Sequence, residues 1–185
     1  MGFQIQDGTG SGKLVTVNAG NRLYTNATTK SVDAQINIDS GKVWSLGIEN
    51  QSATNADGYI FYIQNTGDKT LHVTDMRFSS GTATTQIKIN AVTGTSSGGT
   101  AIAPVSRTVG SSASPSAIIE VGANITDITS SGTIFFMQLD TTDKEFHLST
   151  SSKVRIPKGQ AIGISVESNT ASLTGIVSLV EETGS

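Results

Sequence analysis

The chain of 185 residues suits one domain with a sizeable core and is short for two. Charged side chains make up only 15% and the net charge is −3, which excludes the clustered Lys and Arg that a polyanion requires, so nucleic acid is not expected as a partner. Without cysteine there are no disulfides and no thiolate metal site, and no apolar run approaches the roughly 20 residues of a membrane helix, so no membrane partner is expected.

Ser and Thr supply about a quarter of the residues and Gly another 20, in place of the long charged side chains that favour helices. Thr packs well on a pleated sheet and Ser, Asn, Asp and Gly close turns, so little or no helix is expected. Residues 1–40 carry short apolar pairs separated by Gly, Asn, Ser and Thr and cannot build a core of their own. They read as an extended N-terminal arm, with residues 41–185 as the folded domain; Ile36 and Ile38 fit either the arm or a first strand. The opening Met1 to Gly8 has neither a basic stretch nor an apolar one, which leads to the expectation of synthesis in the cytoplasm.

Beyond Val43, Trp44, Leu46 and Ile48 fall on one face of a half-buried strand. Residues 59–64 form a nearly unbroken apolar and aromatic run, the pattern of a central strand buried on both sides. The connection from Asn65 to Lys69 reads as a hairpin, followed by simple alternation over residues 71–78 and by a strand over 86–92 with Ile87 and Ile89 inward. The Gly- and Ser-rich stretch of residues 93–116, uncharged except at Arg107, reads as a long loop that is either mobile or used for contact. Further strands are expected at 117–121, 133–139, 145–148, 153–156, 160–167 and 174–181, with Pro157 ending one and Gly159 turning into the next as an antiparallel pair. Together these predict an all-β antiparallel β-sandwich, jelly-roll-like, of about ten short strands.

Sites of chemistry are scarce. Gly8 to Lys13 invites a phosphate-loop reading, but Asp7 stands where the first glycine of that motif belongs, Leu14 where its Ser or Thr belongs, and a strand follows instead of a helix. His72 and His147 lack metal-ligand spacing, and no nucleophile elbow accompanies the many serines. Asp140, Asp143 and Glu145, and separately Asp57, have the oxygen chemistry for Ca²⁺, but turn capping explains these residues better than an ion does. With aromatic residues at 5%, a sugar-cleaving cleft is poorly provided for. The expectation is a non-enzymatic protein with no metal and no cofactor.

Three segments carry a resemblance: Gln6 to Asn18 with Asn21, Arg22 and Leu23; the strand pair around Tyr62 to Val73; and Arg155 to Ile164. They resemble small virion proteins of tailed bacteriophages, closest to capsid decoration, or cement, proteins with a jelly-roll body and an extended arm. That resemblance implies a homotrimer at the capsid surface whose partner is the major capsid protein, with no catalytic residues. The contact residues it suggests are Phe3, Ile5, Leu14, Val17, Arg22, Leu23 and Tyr24 in the arm and Arg107 in the loop. Two other roles compete: a fibre or spike head binding a host receptor or surface glycan, and a tail or connector component. The near absence of aromatic residues from the loops ranks the glycan-binding head lower.

Overall fold

A computed structural model describes residues 41–81, 85–139, 145–148, 154–167 and 172–182, with His147 the one side chain described in 145–148. Eleven strands are present: β1 (Val43–Gln51), β2 (Gly58–Asn65), β3 (Leu71–Ser80), β4 (Thr85–Ser97), β5 (Thr100–Ala101), β6 (Val105–Ser106), β7 (Ala117–Leu139), β8 (Glu145–Leu148), β9 (Val154–Ile156), β10 (Ala161–Val166) and β11 (Leu173–Glu181). The described residues contain no helix.

One sheet has the order β6-β1-β11-β3-β8, with β9 also on β3; the other has the order β2-β10-β4-β7-β5. All their pairings are antiparallel. Leaving aside the two-residue pieces β5 and β6, the chain passes repeatedly from one sheet to the other, and the strand sequences β1-β11-β3-β8 and β2-β10-β4-β7 are those of a jelly roll. The two inner faces meet in one apolar layer that includes Trp44, Leu46, Ile48, Phe61, Ile63, Phe78, Ile87, Ile89, Ile164, Val177 and Leu179. Each such side chain contributes on the order of 1.5–3 kcal/mol by leaving water.

Several strands match their sequence pattern closely. β1 buries Trp44, Leu46 and Ile48 while Gly47 and Glu49 stay exposed. In β2 the run from Ile60 to Ile63 is buried on both faces, and so is all of β10. The second burial comes from outside the sandwich, where Tyr62, Val92, Ala161 and Ile125 form a smaller core with Tyr59 and Ile128 packed against it. A Cβ on Gly163 would stand 2.7 Å from Cδ1 of Tyr59, so the ring lies across the strand where only glycine leaves room. Asn90 is buried beside it, donates from Nδ2 to Ser165 Oγ at 3.1 Å and accepts from Thr133 Oγ1 at 2.8 Å. These bonds tie β10, β4 and β7 in register.

Four expectations are corrected. Residues 117–121 and 133–139 belong to one strand of 23 residues, because Ser131 and Ile134 have no counterpart on β4 and Asp127 takes a φ of 62°: residues that resemble turn formers act as bulges. That strand starts beside β2 and ends beside β4, so it lies at both margins of the sheet. The alternation of β3 slips at Thr74, which has no partner where Asp75 faces Ser178 and Val73 faces Leu179. Leu71 and Val73 therefore share the inner face with Met76 and Phe78. The stretch 93–116 is not one long loop, since β4 extends through Ser97 and β5 and β6 add to β7 and β1.

The fourth correction concerns the turns at Asn65 and Pro157. Both were expected to join paired strands, yet each passes from one sheet to the other. Pro157 and Gly159 do make a turn, closed by Gln160 N–H on the Pro157 carbonyl at 3.0 Å with Gly159 at φ 76°. The buried Asn65 holds both crossings. Its Nδ2 donates to the carbonyls of Lys69 at 2.7 Å and Ile156 at 2.8 Å, and its Oδ1 accepts from Gly67 N–H at 2.9 Å. Its own backbone donates to Gln160 O and accepts from Gly159 N–H.

Asn65→Ala is expected to destabilise the protein by about 2–4 kcal/mol in urea unfolding, since it leaves buried carbonyls without donors. Asn65→Asp should be no better, because a carboxylate supplies no N–H. Burial raises the Tyr62 phenol above the ordinary 10.0, helped by the charge of Glu120 and opposed by a hydrogen bond with Ser96. The folded phenol holds its proton to higher pH than the unfolded one, so its contribution to stability is full below the unfolded value and is lost as pH rises through the folded value. Tyr62→Phe should thus lose less stability than the native chain as pH rises above about 9, measured by urea titration at increasing pH.

Candidate interaction surface

The outer face of the β6-β1-β11-β3-β8 sheet is polar, and its rows follow from strand register. Ser45 pairs with Ser178, and Ser178 with Asp75; in the next row Gly47 pairs with Ile176, Ile176 with Arg77, and Arg77 with His147. At the centre, Asp75 accepts from Arg77 Nε at 3.3 Å through one oxygen and meets His147 Nε2 at 2.6 Å through the other. At the β9 end, His72 Nε2 lies 3.8 Å and Arg155 3.9 Å from the same Glu182 oxygen. The two histidines thus each face a carboxylate on this sheet face. Pairs this exposed contribute little stability.

Arg107 leaves its backbone beside β1, where its N–H donates to Val43 O, and lays its guanidinium on the same face. Nε donates to Ser45 Oγ at 2.8 Å and Nη2 to Ser178 Oγ at 2.8 Å. Ser106 Oγ caps the Thr108 N–H at 3.2 Å, Ser111 N–H bonds to Thr108 O, and the buried Trp44 donates its indole N–H to Ala113 O at 2.9 Å. The segment is therefore held at many points, and it displays Val105 at 70% exposure and Val109 at 100%. Two exposed valines on a segment held at these points would lose little further conformational entropy on meeting another surface.

Of the expected contact residues, Phe3, Ile5, Leu14, Val17, Arg22, Leu23 and Tyr24 lie outside the described residues. Arg107 is in place but serves as the anchor of the segment, while its valine neighbours face outward. The sequence signal for them was present: apolar residues two positions either side of an arginine in a Gly- and Ser-rich stretch. Asp140, Asp143 and the Gly8 to Lys13 turn also lie outside the described residues, as does the Glu145 side chain. Asp57 accepts from Lys88 Nζ at 2.7 Å, and that bond raises the Lys88 pKa, so the carboxylate serves an ion pair. Among the described residues no three His, Asp or Glu side chains converge as metal ligands, and no helix is long and apolar enough to cross a membrane.

The fold and this surface define the class as an antiparallel jelly roll with a polar sheet face and a fixed, valine-tipped segment at one edge. No family model matches the chain, and no curated protein matches it. Among solved structures, that of Eiger TNF from S. frugiperda is similar with a TM-score of 0.28 and 6% identity, covering 77% of this chain and 87% of that one.

Arg107→Ala removes both bonds to the sheet while leaving the core untouched. A loss of about 1 kcal/mol is expected in urea unfolding, together with faster amide exchange at Arg107 and Ser111 and no change at β10.

Proposed function

We propose that this protein is a non-enzymatic virion structural protein: a capsid decoration protein, made in the host cytoplasm, that binds the outer capsid shell and stabilises it through many repeated contacts. The observation that carries the reading is the segment fixed by Arg107 and Trp44, which presents Val105 and Val109 to solvent. A protein that works by shape-complementary contact gains from apolar side chains already held in position, because little conformational entropy remains to be lost on binding. The polar sheet face beside it, rich in Ser and short of Lys, suits close packing of many copies. The resemblance to decoration proteins adds the major capsid protein as partner and a homotrimer as the assembling unit.

The test is co-sedimentation of the purified protein with empty shells of a tailed phage, alongside the shells' melting temperature. Binding with a rise in shell stability is expected. Val109→Asp and Val105→Asp should each weaken binding about tenfold or more, since a charge placed in a dry contact is left unpaired. Absence of binding by the native protein, or equal binding by both variants, overturns the reading.

A further inference from the structure

The second half of β7 is the longest uncharged margin of the described sheets. Residues 128–139 contain no Asp, Glu, Lys or Arg. From Thr133 to Leu139 the strand pairs with β4 alone among the described residues, and no other described strand takes up the main-chain N–H and C=O groups on its other side. Phe136 is 56% exposed and Ile134 is 39% exposed, and among the described residues Phe136 is the one aromatic side chain of the exposed large hydrophobics. Edge strands are normally shielded by charge, by proline or by a bulge. Here a bulge at Ile134 shields only the beginning, while residues 135–139 pair with β4 without a break from Ile89 to Thr85 and form a regular, uncharged edge.

We propose that this edge is a self-association surface, at which β7 of a second copy of the chain pairs antiparallel about a two-fold axis near Met137 and continues the sheet across both molecules. Three features favour a second copy. An antiparallel edge satisfies its own row of donors and acceptors when rotated by a half-turn, so each contact is made twice. A partner strand must itself be uncharged to avoid burying an unpaired charge, and this strand meets that condition. Finally, Lys88, the neighbour of Phe136 on β4, is already neutralised by Asp57, so the rotation opposes no unpaired like charges there. In this register Phe136 of each copy lies across from Gln138 of the other, covering the exposed ring. The contact closes after two copies. It is therefore separate from any three-fold contact, and it stands whether or not the protein binds a capsid.

Sedimentation velocity on the full chain across a hundredfold concentration range is the direct test, with amide exchange over residues 135–139 as its site-specific companion. The expected result is a reversible monomer–dimer equilibrium, with protection of those amides that falls on dilution. Phe136→Lys should raise the dissociation constant at least about tenfold and remove that protection; because the ring is solvent-exposed, the circular dichroism spectrum and melting curve should stay native. Val109→Lys should leave the equilibrium unchanged. A chain that is monomeric throughout overturns the proposal, as does an oligomer, a trimer included, that Phe136→Lys leaves intact.

Discussion

Asn65 occupies the position on which the two-sheet arrangement turns. A jelly roll must carry its chain repeatedly from one sheet to the other, and each crossing brings backbone groups out of a ladder and toward a core where no water replaces the lost bonds. Two such crossings, from β2 to β3 and from β9 to β10, run side by side, and one side-chain amide serves both. Its nitrogen reaches Lys69 O and Ile156 O, and its oxygen takes the Gly67 N–H. The entry to β7 joins the same cluster through Ser116 O, which accepts from Thr66 and Gly67. The apolar layer supplies most of the folding free energy, but it is indifferent to which strand ends cross where. The hydrogen bonds of Asn65 are directional and so select the connection.

A second constraint acts on the sheet that contains β2 and β10. Its outer face is apolar enough to need cover, and the long strand β7 with the end of β4 supplies it, bringing Ile125 and Ile128 over Tyr62, Val92 and Ala161. The cover is possible because β7 bends at its bulges instead of ending, and because Gly163 lets the Tyr59 ring lie flat across the sheet. The opposite sheet needs less cover: its outer rows are mostly Ser, Thr, Arg, Asp and His, with Ile176 the one large apolar side chain exposed among its described residues. The two faces thus settle which parts of the surface are free for contact. Among the described residues, the large apolar side chains left exposed are Val105 and Val109 on the valine-tipped segment, Ile134 and Phe136 at the end of β7, and Ile118 and Ile176 singly.

These two patches differ in kind. Val105 and Val109 are side chains on a segment fixed by Arg107 and suit docking into a partner's surface, whereas the β7 edge offers main-chain groups and suits strand addition.

Strand existence was legible in the sequence wherever burial is one-sided or complete. Trp44, Leu46 and Ile48 alternate, and residues 60–63 are uniformly apolar, because the pleat has a period of two and each face has one solvent. The same logic failed wherever the period was interrupted. Thr74, Ser131 and Ile134 are bulge residues, and a bulge shifts the phase of the pattern without leaving a distinctive residue type behind, so β3 was read as one unbroken alternation and β7 as two strands.

Local pattern also could not tell a hairpin from a crossing. Asn65 to Lys69 and Pro157 to Gly159 have turn chemistry in either case, and only the packing of two sheets decides that the next strand goes to the other layer. The same division holds at the surface. Composition determined that the protein would be a weakly charged, strand-rich chain without metal-binding thiols, since those follow from residue counts alone. Tertiary structure decided that Arg107 lies along the sheet face on Ser45 and Ser178 while its valines project into solvent, and that among the described residues the end of β7 pairs on one side only, because exposure depends on which distant segments come to lie beside a residue.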